Sequence, residues 1–190
     1  NTAHELGHKK SAWEQFLSKA LLMMVCYMHF FIEHNKGHHV NVATPGDPAT
    51  ARKGESFYAF WWRSVTTGYI NAWRIENSRL TRKGLREFSS GNQMIWFSLL
   101  PIIFCGVVLI TFKVIYNQWF IEIPVFFFAQ SIVAFSLLEL TNYVEHYGIV
   151  RKEIAPGRFE RVDERHSWNA SHLFSNFFLF QLQRHSDHHA

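Results

Sequence analysis

The sequence predicts an all-α fold: a multi-pass membrane helical bundle with a helical cytoplasmic cap that carries histidine boxes. Three observations predict it. Residues 93–112, QMIWFSLLPIIFCGVVLITF, run for 20 residues without a charge, the length a helix needs to cross a bilayer. A second apolar run, 119–138, extends to a candidate helix over 119–140 and follows after only six residues, KVIYNQ, so the two pair as a hairpin. The chain has 12 histidines, and neither run contains one.

Composition agrees. There are 19 phenylalanines and seven tryptophans among 190 residues, beside 19 basic and 15 acidic side chains, so apolar and charged residues must be segregated along the chain. Cys26 and Cys105 lie far apart in apolar surroundings and read as buried free thiols. The net charge of +4 is modest, and no nucleic-acid partner is expected. The length suits one domain. The chain opens three residues before one histidine motif and stops inside another, so it reads as a fragment incomplete at both ends.

Taken in order, the first element carries His4-Glu5-Leu6-Gly7-His8, an HExxH match. The run ALLMMVCYMHFFI at 20–32 is too short to span comfortably and suits a buried or interfacial helix. ATPGDPAT at 43–50 is a Pro/Gly loop. ESFYAFWWRSV at 55–65 suits a segment lying flat at the interface or packed in the fold. Pro101 is tolerated inside the first span, and Trp96 and Trp119 stand near span ends. Between 41 and 92 there are eight Lys or Arg against four acids, whereas the short loop beyond the spans has Lys113 alone. This asymmetry assigns segments 1–92 and 141–190 to the cytoplasm.

The histidines fall into four groups: AHELGHK (His4, His8), EHNKGHH (His34, His38, His39), NYVEHYG (His146) and LQRHSDHH (His185, His188, His189). Partners three or four residues apart share a helix face, so each box can present two imidazoles to one metal. The adjacent histidine of a doublet points roughly 100° away, toward another ion. Nine candidate ligands exceed what one ion takes, which argues for two. A zinc peptidase would use His4, His8, Glu5 and one further ligand, leaving six histidines without a purpose. Imidazole suits iron, copper, nickel and zinc. Glu5, Glu33, Glu145 and Asp187 are near-neighbours of candidate ligands, placed to orient imidazoles or offset metal charge.

The motifs HELGHK, EHNKGHH, NYVEHYG and LQRHSDHHA resemble those of integral-membrane alkane 1-monooxygenases, within the wider membrane fatty-acid desaturase and hydroxylase superfamily, over essentially the whole chain. The hydroxylase subunits of xylene monooxygenases are similar in the same boxes, with a different residue expected in place of Glu145. The resemblance implies two non-haem iron ions held by His4, His8, His34, His38, His39, His146, His185, His188 and His189, in a bacterial inner membrane with the motifs on the cytoplasmic side. It implies that medium- or long-chain alkanes react as R-CH3 plus O2, two electrons and two protons to R-CH2OH plus water. Electrons would come from rubredoxin and its NADH-dependent reductase. Arg79, Arg82, Lys83 and Arg86 offer a docking face for that acidic carrier or a contact with lipid headgroups. His166 reads as a hydrogen-bonding supporter, and His29 and His172 as bystanders.

The chemistry is consistent with the residue types. A terminal methyl has no acidic proton, polar handle or leaving group, so acid–base and nucleophilic catalysis have nothing to act on. An alkane partitions into the bilayer by roughly 0.8 kcal/mol per CH2, and only an apolar tunnel can orient it. Phe127, Phe128 and Phe135 are candidates for that lining, or for lipid contact. A desaturase would share metal and membrane but yield an alkene. A metal transporter would place histidines within the spans.

Overall fold

The structure, a computed structural model, describes residues 2–169. The described residues are mostly helical: α1 (Thr2–Gly7), α2 (Ala12–Met23), α3 (Phe30–Glu33), a π-helical turn (His34–His38), α4 (His39–Asn41), α5 (Phe57–Arg82), α6 (Gln93–Tyr116) and α7 (Glu122–His146). A small antiparallel hairpin follows, β1 (Glu153–Ala155) with β2 (Arg158–Phe159), then a 3-10 turn at Glu164–His166. Apolar spacing did not foretell the hairpin. It turns at Pro156-Gly157, where Gly157 has φ +71.

Helices α6 and α7 are the two apolar runs, and both are long and apolar enough to cross a membrane. Each outruns its expected range: α6 continues past 112 to Tyr116, and α7 starts at 122 and continues past 140 to His146. Asn92 caps α6 by accepting the Met94 N–H, a role its short amide suits. Asn117 ends α6 in the left-handed region at φ 51, which asparagine tolerates better than most residues. Much of the apolar surface of the hairpin faces outward, including Ile102, Val107, Ile132 and Val133. Such surface is costly against water and suits lipid or further helices. Together these features point to a membrane location.

The run 20–32 is not one helix. Helix α2 stops at Met23, the backbone turns left-handed at Cys26 (φ 52), and α3 begins only at Phe30. The break is held from outside: the Tyr27 hydroxyl donates to buried Glu139 of α7 at 2.8 Å, and the Gln130 amide donates to the Met24 carbonyl. Tertiary contacts thus override a helix-compatible sequence. The segment 55–65 is the first part of α5, capped by Ser56.

One side of α5 is buried at Phe60, Ser64, Gly68, Ala72, Glu76 and Leu80, a strict four-residue repeat that makes one stripe along a helix. Its middle is small, so the histidine-bearing segment can lie close. Gly37 marks the closest approach. A Cβ there would stand 2.6 Å from the Glu33 carboxylate, 3.0 Å from the Asn71 amide and 3.2 Å from the Ile75 methyl. Leu22, Tyr27, Met28, Phe30, Ile32, Ala72, Met94 and Phe97 close the core between α2, α3, α5 and α6.

Candidate metal centre

The hairpin turn at 117–121 marks one end of the bundle, and the histidines gather at the other. His146 is the last residue of α7. In the first cluster, His4 Nε2 lies 2.8 Å from His34 Nε2 and 3.4 Å from His8 Nε2; His34 Nε2 lies 3.1 Å from both His8 Nε2 and His39 Nε2. Three of these nitrogens, of His4, His8 and His34, lie within 4.8 Å of one another and could hold one ion; His39 Nε2 adjoins them through His34. With metal–nitrogen bonds of about 2.0–2.1 Å, neighbouring ligand atoms stand roughly 3.0 Å apart in octahedral and about 3.4 Å in tetrahedral geometry. The separations among His4, His8 and His34 match the edges of one coordination shell.

Proton placement supports the same reading. His4 Nδ1 is 3.1 Å from the Glu5 carboxylate, which as an anion can only accept. The proton therefore sits on Nδ1 and the Nε2 lone pair points into the cluster. His34 is fully enclosed, and burial, reinforced by the neighbouring imidazoles, holds it well below the ordinary histidine range. A neutral imidazole is the form that binds metal.

The π-helical turn decides which histidines join. The His39 N–H bonds to the His34 carbonyl, five residues back. In an α-helix, residue five on would sit roughly 140° around the axis; the wider turn brings His39 beside His34. The expected pairing of His34 with His38, and His39 elsewhere, is thus corrected. His34 and His39 belong to the first cluster, and His38 faces His146, with ring centroids 4.8 Å apart. The His34 and His38 rings remain within 5.3 Å, so the two groups adjoin.

His38 and His146 are each held at Nδ1, so that Nε2 offers a lone pair. His38 Nδ1 donates to Asp47 at 2.9 Å, with both side chains fully buried. Asp47 also accepts from the Thr50 hydroxyl and the Ala49 N–H. Burial alone would raise this carboxyl and depress this imidazole, but each partner's charge outweighs that. Asp47 is held below the usual carboxylate range and His38 above the usual histidine range. A cation at Nε2 can take the place of the extra proton. His146 Nδ1 lies 3.3 Å from the His166 carbonyl and 3.4 Å from the Ser167 hydroxyl.

Asp47 was missed from the sequence, where it reads as one acid in a Pro/Gly loop. Its only signal is a position nine residues beyond His38. Glu33, expected beside a ligand, instead receives the Asn71 amide at 3.4 Å. Burial, with the nearby charge of Asp47, pushes it up to about 8. Glu145 is buried next to His146, and its backbone carbonyl accepts from Trp168 N–H at 2.7 Å. His166 acts on His146 through its carbonyl; its ring receives the Asp163 N–H and contacts Glu160. His29 packs against the Tyr27 and Tyr69 rings, away from both clusters. His172, His185, Asp187, His188 and His189 lie outside the described residues.

An apolar cavity of about 310 Å³ reaches His4, lined by Leu21, Leu22, Val25, Phe30, Ala134, Phe135 and Leu138 among others. Phe135 is therefore a lining residue, stacked 4.9 Å from Tyr27. Phe127 packs on Phe104, and Phe128 is largely exposed; neither lines this cavity. Arg79, expected to be a docking cation, is held by Glu76 through two 2.7 Å bonds.

A family model described as fatty acid desaturase matches residues 1–190. Alkane 1-monooxygenase of Ectopseudomonas oleovorans is 45% identical over 190 residues, all of this chain and 46% of that protein. Alkane 1-monooxygenase 1 of Pseudomonas aeruginosa is 47% identical over 188 residues, 99% of this chain and 47% of that protein. The xylene/toluene monooxygenase hydroxylase component of Pseudomonas putida is 25% identical over 187 residues, 98% of this chain and 47% of that protein. The chain thus spans about half the length of the curated relatives it matches. Matched along its whole length, and bearing clustered histidines where two long apolar helices end, it belongs to the fatty acid desaturase family.

Proposed function

We propose that this chain is the histidine-bearing part of a membrane alkane 1-monooxygenase that converts the terminal methyl of an alkane to a primary alcohol. The observation that carries the reading is the convergence of the His4, His8 and His34 Nε2 atoms at 2.8–3.4 Å, with His39 Nε2 3.1 Å from His34 and with His4 lining an apolar cavity. Identity of 45–47% to alkane 1-monooxygenases, against 25% to the xylene/toluene hydroxylase component, favours alkanes over alkyl-aromatics.

In this reading two non-haem iron ions are held by His4, His8, His34, His38, His39, His146, His185, His188 and His189. When bound, the metal supplies the oxygen chemistry that cleaves an unactivated C–H bond. The chain's own residues prepare the site. Glu5 and Asp47, and the His166 carbonyl, keep Nδ1 protonated on His4, His38 and His146, so that each Nε2 lone pair faces inward. Glu145 and Asp187 offset metal charge. Leu22, Val25, Phe135 and Leu138 exclude water and align an unbranched chain with its end at His4, since the substrate has no polar group to steer it. Segments 1–92 and 141–190 face the cytoplasm of a bacterial inner membrane. Rubredoxin, reduced by its NADH-dependent reductase, delivers electrons there. The groove of Asn35, Lys36, Arg74 and Arg82 beside the π turn offers it cations that Arg79 does not.

The test is metal analysis and octane turnover of the full-length parent. Two irons per chain and 1-octanol are expected; less than one iron in active enzyme, or an alkene product, rejects the proposal. His146→Ala should abolish turnover, and near-normal activity would remove His146 from the ligand set.

A further inference from the structure

Helix α7 delivers His146 and the π turn delivers His38, yet neither element sets the distance between them. Both elements pack on α5, and the segment 147–169 bridges them a second time, through Arg151. Arg151 is 8% exposed. One guanidinium nitrogen donates to the Val40 carbonyl, directly after His39, at 2.9 Å. The other donates to the Glu160 carbonyl at 3.2 Å. The Arg151 N–H closes on the Ala43 carbonyl at 2.7 Å.

Two arms run from this point to the two imidazoles. Toward His146, the Glu160 carboxylate accepts from His166 Nε2 at 3.3 Å and from the Lys152 N–H at 2.8 Å. The His166 carbonyl in turn accepts from His146 Nδ1. Toward His38, Arg151 is tied to both ends of the Val40–Ala43 stretch that leads to Asp47, and its charge acts on Asp47, which holds His38 Nδ1. A planar fork with several donors can bind two carbonyls at once, which a lysine ammonium on a flexible stem does less rigidly.

We propose that Arg151 and Glu160 are positioning residues that hold His38 and His146 at the spacing needed for a shared metal ion, leaving the His4–His8–His34–His39 group independent of them. The inference rests on the two-metal reading above. Its test is titration of purified full-length protein with 57Fe, followed by Mössbauer spectroscopy, which separates two iron environments without requiring turnover. Arg151→Ala and Glu160→Ala should each weaken one iron environment about tenfold and leave the other unchanged. Glu160→Gln, whose amide oxygen still accepts from His166 and Lys152, should restore the wild-type titration.

Circular dichroism checks that the helices persist. If Arg151→Ala does not fold, Glu160→Ala decides, because that side chain is about one-third exposed. Parallel weakening of both irons, no weakening, or failure of Glu160→Gln to restore binding overturns the proposal. Fewer than two irons in the wild-type protein refutes the underlying functional reading instead.

Discussion

Asp47→Asn separates the fold from the metal site, because the substitution keeps shape and changes only what the side chain can accept. The carboxylate has three partners: His38 Nδ1 at 2.9 Å, the Thr50 hydroxyl and the Ala49 N–H. An amide oxygen can keep the Ala49 N–H, and the Thr50 hydroxyl has a lone pair for the new NH2 group. His38 must then turn Nδ1 into an acceptor, and its proton moves to Nε2. The backbone loop stays satisfied, but an N–H now points where a lone pair is needed. The same tautomer logic governs the well-known asparagine substitution in serine-protease triads.

Loss of a hydrogen-bonded supporter typically costs about 10–100-fold in metal affinity or activity, or about 1.4–2.7 kcal/mol. Here the wrong tautomer should put the effect at the upper end. Asp47→Ala is the contrasting variant: it strands the Thr50 and Ala49 donors in a buried site at about 1–3 kcal/mol each, so it should lose stability as well as metal. Iron titration with thermal melting in the full-length parent distinguishes the two. If Asp47→Asn binds two irons with wild-type affinity, the assignment of His38 Nδ1 as donor is wrong.

Gly37→Ala should destabilise the protein by about 1–3 kcal/mol through overpacking, since its methyl meets Glu33, Asn71 and Ile75 at 2.6–3.2 Å; an unchanged or raised Tm would refute this. Burial holds His29 at about 4, below its ordinary 6.5. The unfolded chain therefore binds this proton first, so the stabilisation is complete above pH 6.5 and is lost as pH falls toward 4, by about 3 kcal/mol in all. His29→Gln should flatten that part of the stability–pH curve, and a curve identical to wild type would refute the assignment. Ala134→Trp fills the cavity at His4 and should reduce turnover of long alkanes more than of short ones; equal loss across chain lengths would argue against that cavity as the substrate path.

Much of the architecture was legible because a long uncharged run has few alternatives to a long apolar helix, and a six-residue connector forces a hairpin; α6 and α7 followed, with ends displaced by a few residues. Helix α2 and its break were not legible. Nothing in ALLMMVCYMHFFI opposes helix, and the turn at Cys26 is held by Glu139 and Gln130 on α7, far along the chain. The same limit hid Asp47, whose role exists only because the loop after α4 folds back on His38.

The histidine boxes show how local geometry can reverse a correct motif. The residue types at 34, 38 and 39 pointed to metal, and an α-helical period would put 34 and 38 on one face with 39 turned away. A single π turn moves His39 across to His34 and frees His38 for His146, so one stretch with three histidines, at 34, 38 and 39, serves two adjoining groups. The arrangement has a physical cost, because a π turn is a rare conformation, and here it is held by close packing against α5 at Gly37. Metal-site geometry in this chain is therefore a property of α5 and the 147–169 segment as much as of the histidines themselves. Substitutions at Gly37, Asn71 or Arg151 should for that reason change metal binding although none of these side chains can ligate through an imidazole.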